Sequence, residues 1–398
     1  MKLDVNICKY NLALFLRAVL LLTPIMLLFY QDNGLTAHEL FFFQGLFYFT
    51  SIISEMPIGY LSDRIKRKYI LLLSFIIFFA ITLLWLFYKG YYVVMLGEIM
   101  FAISKVSLDN AMSGYLYDYL EQQNKTEKMV RNYGYLNFFL ALGTAVAAIL
   151  GTYLYSKYGY HKILVIELFL ILIGIMLVLS LPNLGVTKNT SLKFIDEAKK
   201  FINNAKAIYG NCKIKYHIFY SGILTSMSIL FALSFQPIMK NAFFPVFMFG
   251  VIAFLNHGIR ALSGIVAGKW LRNLNLRYLI FPLLITYSLG FVCVFAAFGF
   301  KNITTVTLLI LTLCLIIGLQ LIFTILHISR CHKYINTENR GNLMSINNFI
   351  SRCAAAIILL SSKLLLDKLG FQLYYGIIFV LFLIICIFLS VKTYKIKE

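Results

Sequence analysis

The stretch Gly59-Tyr60-Leu61-Ser62-Asp63-Arg64-Ile65-Lys66-Arg67-Lys68 places five charged side chains in a short turn between two long apolar runs. The apolar runs cover residues 39–61 and 69–88. A helix needs about 20 apolar residues to cross the hydrocarbon layer of a membrane. We therefore predict that residues 59–68, called here the charged turn, join two membrane-spanning helices, and this assignment decides the fold.

Twelve apolar runs of this kind follow one another along the 398 residues. Hydrophobic residues make up 61% of the chain and charged residues only 13%, which excludes a soluble enzyme, a nucleic-acid binder and a disordered protein. The runs are continuous rather than alternating, which favours helices over a β-barrel. The predicted spans 1 to 12 cover residues 10–30, 39–61, 69–88, 91–119, 132–154, 162–181, 214–239, 244–267, 278–299, 302–328, 342–366 and 370–391.

Positive charges are distributed unequally between the two sides of these spans. Of the 36 Lys and Arg residues, 25 lie on the side that holds both termini, 7 lie on the opposite side and 4 lie within spans. Cytoplasmic loops of membrane proteins collect Lys and Arg. We therefore expect an integral protein of the bacterial cytoplasmic (inner) membrane with both termini in the cytoplasm. The net charge of +20 then reflects topology, and no nucleic-acid partner is expected.

The longest loop divides the spans six and six. We predict an N-terminal six-helix bundle over residues 1–181, a cytoplasmic linker over 182–212 with a short amphipathic helix at 191–208, and a C-terminal six-helix bundle over 213–398. A weak internal repeat supports this division, because Tyr158-Gly159 follows span 5 as Leu369-Gly370 follows span 11. Parallel repeats of six plus six spans are typical of two-bundle transporters.

The charged turn resembles the loop 2–3 motif G-x-L-x-D-R-x-G-R-K of the major facilitator superfamily, with Lys66 where the family usually has glycine. Two further segments are similar to a branch of small bacterial efflux carriers. The segment Glu55-Met-Pro-Ile-Gly59 resembles E-x-P-x-G, and Tyr117-Asp118 resembles part of L-Y-D. The resemblance implies an all-α membrane protein with 12 transmembrane helices in two six-helix bundles related by a pseudo-two-fold axis. It also implies that spans 1, 4, 7 and 10 line a central cavity.

The same resemblance implies a latch that helps to hold the cytoplasmic side shut, in which the acid of the charged turn acts against span 11. The residues expected to form this latch are Glu55, Gly59, Asp63, Arg64 and Arg67. The residue types suit such a role, because glycine lets two helices approach closely and a carboxylate accepts from a helix N-terminus or from arginine. The alternative is that the cations of the charged turn only set the topology.

Charged side chains inside the spans are the second functional signal, because burying a cation in mid-membrane costs about 2.5–3.5 kcal/mol on insertion scales. In span 4, Glu98, Lys105 and Asp109 lie on one helical face. We predict that Lys105 pairs with Asp109 one turn away, and that Glu98 pairs with Arg17 of span 1. Such a cluster can bind a substrate or a proton, and a purely structural ion network is the alternative.

The second half carries further polar candidates. His257 and Arg260 lie on span 8, Gln320 on span 10 and Arg352 on span 11. We expect these four residues to bind substrate or to couple protons, with hydrogen-bonded packing as the alternative for His257. Glu167 in span 6 has no evident partner.

Three functions fit these features. The first is a secondary active transporter working by alternating access, a proton antiporter that exports amphipathic or toxic compounds as in multidrug efflux. The second is a symporter that takes up a nutrient or metabolite, with the buried cations binding an anionic substrate. The third is a membrane receptor that does not transport. Span 5 lacks the Gly-Pro pair that many drug/proton antiporters carry, although residues 140–153 are rich in small side chains.

Several chemical signatures are absent from the sequence. It contains no phosphate-binding loop of the type G-x-x-x-x-G-K-S/T, no HExxH pattern and no Cys/His cluster with zinc spacing. We therefore expect no enzyme activity, no cofactor and no metal. The expected partners are a small-molecule substrate, protons and membrane lipid, and the expected state is a monomer.

Overall fold

The computed structural model describes residues 4–184, 209–269, 280–331 and 340–394, together with residues 199, 202, 203 and 206. Over these residues the chain forms helices joined by short turns, and no strand occurs among them. The predicted amphipathic helix at 191–208 lies largely outside the described residues. The all-α fold class with twelve transmembrane helices in two bundles is confirmed.

The helices coincide with the predicted spans. They are Val5–Ala18 and Met26–Asp32 (span 1), Ala37–Ser62 (span 2), Arg67–Phe87 (span 3), Tyr91–Gln122 (span 4), Met129–Leu179 (spans 5 and 6), Cys212–Asn241 (span 7), Val246–Lys269 (span 8), Ile280–Gly299 (span 9), Ile303–Cys331 (span 10) and Arg340–Tyr394 (spans 11 and 12). Among the described residues, eight helical segments are long and apolar enough to cross a membrane, and two of these hold two spans each.

A single glycine separates the two spans in each of these double segments. Gly159 has φ 71° and ψ 178°, and Gly370 has φ 72° and ψ 173°. Positive φ at this ψ is accessible to glycine and strained for other residues, so glycine is the residue that can turn the chain here. Because the two turns share one conformation at corresponding places in the two halves, the internal repeat predicted from Tyr158-Gly159 and Leu369-Gly370 is present in the backbone.

The chain divides into two compact units. The first comprises Met1–Thr36, Phe49–Glu197 and Val246–Val251, and the second comprises Ala37–Tyr48, Ala198–Pro245 and Ile252–Glu398. The first unit therefore holds most of spans 1 to 6 and the second holds most of spans 7 to 12. The opening parts of spans 2 and 8 are the exceptions, since each is grouped with the other unit.

Span 1 packs along span 5, because span 5 presents glycines to it. A Cβ atom at Gly143 would lie 2.6 Å from the carbonyl oxygen of Phe15, and a Cβ atom at Gly151 would overlap the carbonyl oxygen of Leu21. No side chain larger than hydrogen fits at these positions, so the two backbones are in contact. The small residues of span 5 thus permit close packing against span 1.

Candidate functional site

Span 1, which we predicted to be unbroken over residues 10–30, is interrupted. Its first helix ends at Ala18, and a 3-10 turn begins at Thr23. Pro24 accounts for the interruption, since proline has no N–H to donate and disfavours helical backbone in the residue before it. The unwound residues 19–22, called here the span 1 break, are buried except for partly buried Leu20.

The side chain of Glu167 in span 6 completes the hydrogen bonding of the span 1 break. The Leu21 N–H donates to Glu167 Oε1 at 2.5 Å, and the Leu22 N–H donates to the same oxygen at 3.3 Å. The other two N–H groups of the break donate to the carbonyls of Phe15 and Ala18. Buried backbone N–H groups need partners, and Glu167 supplies the two that the unwound backbone cannot. The partner of Glu167 is therefore the backbone of span 1.

A small cavity lies beside Glu167, with room for about one water molecule. The indole Nε1 of Trp85, which borders this cavity, is buried without a hydrogen-bond partner. The residues that line the cavity are Leu20, Leu22, Thr23 and Met26 of span 1, Phe78 and Trp85 of span 3, Phe101 of span 4, and Glu167. The cavity is thus mainly apolar, with one acid on its wall.

Arg17 lies one residue before the end of the first helix of span 1 and is 2% exposed. Its Nη2 donates to Ser104 Oγ of span 4 at 2.7 Å, and its guanidinium carbon lies 4.1 Å from the centre of the Phe78 ring, a cation–π contact. Its Nε is buried without a partner. Arg17 does not form the predicted pair with Glu98. The reason is spacing, since six residues, about 9 Å of helix, separate Glu98 from Ser104 along span 4.

Glu98 is fully buried and accepts a hydrogen bond from the Tyr30 hydroxyl at 2.7 Å. Tyr30 belongs to the second helix of span 1, so this bond also joins spans 1 and 4. Further along span 4, Lys105 Nζ and Asp109 Oδ1 lie 2.5 Å apart, which confirms the predicted ion pair. The side chains of this pair are 44% and 28% exposed, so it is far more accessible than Glu98.

The charged turn is tied to span 4 through Arg67. Arg67 Nε lies 3.4 Å from Oδ2 of Asp118, whose side chain is 6% exposed. The Arg67 guanidinium lies directly against Gly114, one turn earlier on span 4, where a Cβ atom would overlap it. The Arg64 guanidinium lies over the Tyr60 ring, 3.5 Å from its centre.

The last residue of the charged turn, Lys68, is buried and reaches the end of span 6. Its Nζ donates to the carbonyl oxygens of Leu179 at 2.7 Å and Leu181 at 2.6 Å. Carbonyls at a helix C-terminus lack helical partners, so this lysine caps span 6. The remaining predicted latch residues, Glu55, Gly59 and Asp63, are partly buried on span 2 and at its end.

In the second unit, spans 7 and 10 bring buried polar side chains together. Gln320 is fully buried and accepts from the Ser228 hydroxyl at 2.5 Å, while its Nε2 has no partner. The Nδ1 atoms of His217 and His327 lie 2.9 Å apart, and the Tyr220 ring stacks on His327 with 4.7 Å between centres. His217 was not among the predicted site residues, although it is a histidine on span 7, which we expected to line the cavity.

The other predicted residues of the second half lie on spans 8 and 11. Arg260 and Arg352 are partly buried, and both act electrostatically on the Tyr48 hydroxyl of span 2. His257 is exposed. The structure thus places Arg260 and Arg352 within electrostatic range of one phenol and gives Gln320 a separate partner on span 7.

The family model described as Major Facilitator Superfamily matches residues 11–350. The chain belongs to this superfamily. A crystal structure of the nucleoside transporter NupG is similar with a TM-score of 0.75 and 13% identity, and the match covers 100% of both chains.

A second similar structure is a bacterial homologue of the human lysosomal transporter Spinster, in an inward-facing and occupied conformation. Its TM-score is 0.67 and its identity 12%, and the match covers 98% of this chain and 94% of that chain. At these identities the likeness shows the fold. No curated protein matches the sequence.

In this superfamily transporter, the predicted residues of the first half lie along spans 1 and 4, and the structure adds two residues to them. Glu167 was recognisable as a charge inside a span, but its contact with backbone carries no sequence signal. Tyr30 gave no signal at all, because it is one of 26 tyrosines. The site of the first unit therefore comprises two buried acids, Glu98 and Glu167, which contact different parts of an interrupted span that carries Arg17.

Proposed function

We propose that this secondary transporter works by alternating access and exports small amphipathic compounds in exchange for protons. The observation that carries the proposal is the fully buried Glu98, hydrogen-bonded to Tyr30 in an apolar interior that also holds Arg17. An ionised carboxylate is costly inside a membrane, so its charge depends on whether water reaches it. A carboxyl that gains and loses a proton as water access alternates is what proton coupling requires.

Asp109 is proposed as a second coupling acid on the same helix. It is paired with Lys105 and is 28% exposed, so water reaches it more readily than it reaches Glu98. Arg17 is proposed to bind substrate, because its guanidinium has an unpartnered Nε and lies over the Phe78 ring. For the second half we propose substrate or proton contacts at His257, Arg260, Gln320 and Arg352. Support is firmest for Gln320, which is buried with a free Nε2.

The charged turn is proposed to act as a cytoplasmic latch through Glu55, Gly59, Asp63, Arg64 and Arg67. The support is the Arg67–Asp118 pair, which links the turn to the Tyr117-Asp118 segment. The Tyr117-Asp118 segment is similar to bacterial efflux carriers, and this link is our reason for preferring export. The distribution of positive charges supports our proposal of a protein of the bacterial inner membrane with both termini in the cytoplasm, and we propose that it acts as a monomer.

A second candidate function is the uptake of an anionic or nucleoside-like metabolite by proton symport. Two observations favour it. The first is the buried Arg17, whose Nε has no hydrogen-bond partner among the described residues, and the second is the similarity in fold to a nucleoside transporter. Export and uptake share the coupling acids, so direction has to be measured directly.

The coupling proposal is tested with full-length protein in inside-out membrane vesicles. Addition of an exported cationic dye such as ethidium should release protons from the vesicle interior, which restores the fluorescence of a pH-quenched dye. The variants Glu98→Gln and Asp109→Asn should lose this proton release. The control is Glu127→Gln, because this exposed acid pairs with neighbouring Lys128, with 3.8 Å between Nζ and Oε1. Full proton release in both acid variants would exclude these residues from coupling.

Direction is tested by two parallel measurements. Expression in a strain without its own drug pumps should raise resistance to several amphipathic compounds, and the Glu98→Gln variant should not. Unchanged resistance across the panel, together with counterflow of a labelled nucleoside in proteoliposomes, would overturn export in favour of uptake. Failure of both measurements would favour a receptor that does not transport.

A further inference from the structure

The proposed function gives no role to the contact between Glu167 and the span 1 break. Interrupted helices in membranes leave backbone N–H groups without helical partners, and in transporters such groups commonly face a ligand. Here the N–H groups of Leu21 and Leu22 face a carboxylate oxygen of the protein itself. The acid sits where an anion would otherwise bind.

The surroundings of Glu167 are almost free of other charge among the described residues. From span 1 the charged neighbour is Arg17, which in turn is influenced by Asp109 of span 4. Span 3 contributes Phe78 and Trp85 to the cavity wall, and span 4 contributes Phe101. The hydrogen bonds to Leu21 and Leu22 therefore depend strongly on whether Glu167 carries its negative charge.

We propose that Glu167 is a proton-binding residue whose protonation releases the backbone of the span 1 break. As a carboxylate, Glu167 accepts two charge-assisted hydrogen bonds, which are about twice as strong as neutral ones. As a neutral acid it is a weaker acceptor, so the hydrogen bonds from Leu21 and Leu22 weaken and the backbone of the break is held less firmly. The adjoining cavity has room for about one water molecule, which can act as the immediate proton donor to Glu167.

The consequence for transport acts through Arg17. This residue belongs to the last turn of the helix that precedes the break, and it is held by Ser104 and Phe78. A change in the backbone of the break moves Arg17 relative to these two partners. Glu167 is then a positioning residue for the proposed substrate-binding arginine. This consequence rests on the proposed function, whereas proton binding itself can be tested without a substrate.

The fluorescence of Trp85 reports the protonation of Glu167 directly. It lines the cavity beside Glu167 and is one of only two tryptophans in the chain, the other being Trp270. In the full-length protein with Trp270→Phe, reconstituted in lipid nanodiscs, we expect Trp85 emission to change in one step as the pH is lowered. The step should vanish in Glu167→Gln and persist in Glu127→Gln. A flat titration of the parent, or a step that survives in Glu167→Gln, would overturn proton binding by Glu167.

Hydrogen exchange measured by mass spectrometry tests the release of the backbone. At one fixed pH above the step, amides of peptides covering residues 19–25 should exchange about five-fold faster in Glu167→Gln than in the parent, because the acceptor loses its charge. Peptides of span 5 that begin beyond Gly151 serve as an internal control. Equal exchange in parent and variant would overturn the release of the break.

A second variant keeps the test valid if Glu167→Gln fails to fold, which size-exclusion chromatography would reveal. Glu167→Asp retains an ionisable group but withdraws it from the break by one methylene. It should keep the Trp85 step while the peptides covering residues 19–25 exchange faster, and loss of the step with unchanged exchange would contradict the proposal. If both readouts behave as expected while vesicles show no proton-coupled flux, the proposed function fails and the inference about Glu167 stands.

Discussion

The contact between Arg67 and Gly114 gives a quantitative prediction about the charged turn. In Gly114→Ala, the new methyl group would overlap the Arg67 guanidinium. Arg67 is a flexible side chain, so it will swing aside and abandon Asp118, which is 6% exposed. The substitution is therefore expected to act through the loss of an ion pair and not through a cavity or a void.

The magnitude follows from how far the pair is buried. Breaking a fully buried ion pair costs about 3–5 kcal/mol, and breaking an exposed one costs less than about 1 kcal/mol. With Arg67 22% exposed and a separation of 3.4 Å, this pair falls between the limits, at about 2 kcal/mol. Replacing glycine by alanine within a helix stabilises the helix by about 1 kcal/mol. The free energy of unfolding should thus fall by about 1 kcal/mol in Gly114→Ala.

The assay is a double-mutant cycle on the full-length protein, unfolded by increasing SDS in mixed micelles and followed by circular dichroism. In an Asp118→Asn background the ion pair is already lost, so Gly114→Ala should no longer destabilise, giving a coupling free energy of about 2 kcal/mol. The matched control is Gly134→Ala, because nothing lies within 4 Å of a Cβ atom at that helical position. Equal destabilisation by Gly114→Ala in both backgrounds would refute the displacement of Arg67.

Three further predictions concern other contacts. Lys68→Met removes two hydrogen bonds from a charged donor to the end of span 6, and should lower the free energy of unfolding in mixed micelles by about 3 kcal/mol. Gly151→Ala forces a methyl group against the Leu21 carbonyl and should lower that free energy by about 2 kcal/mol through overpacking, whereas Gly134→Ala should not lower it. Tyr30→Phe removes a hydrogen-bond donor to Glu98, which destabilises the ionised form of Glu98 by about 2 kcal/mol. Transport by Tyr30→Phe measured in proteoliposomes should therefore slow more at pH 6 than at pH 8, because at the higher pH more of Glu98 stays ionised despite the lost donor, and an equal effect at both pH values would argue against ionisation of Glu98 during the cycle.

Much of the fold was predictable from the sequence, because hydropathy and charge can be read along a single chain. The charged turn, the twelve spans and the six-plus-six repeat all depend on local patterns. The Lys105–Asp109 pair was equally accessible, since residues four apart in a helix are neighbours by geometry.

The site was harder to predict, because its partners are distant in the chain. Glu167 and Leu21 are 146 residues apart, and the groups that the acid binds are backbone N–H groups, which every residue except proline carries. The pair of His217 and His327 spans 110 residues. Pro24 was a sequence signal for the interruption of span 1. The span was predicted from the apolar character of residues 10–30 as a whole, in which a single proline has little weight.

The matching turns at Gly159 and Gly370 have a mechanical consequence. Each joins two long helices through one non-helical residue, so spans 5 and 6, and likewise spans 11 and 12, form hairpins with almost no slack at the joint. A displacement of one helix is transmitted to the other, so the two helices of each hairpin move together. Inserting even a few flexible residues beside either glycine would uncouple the two helices while leaving every side chain of the site in place.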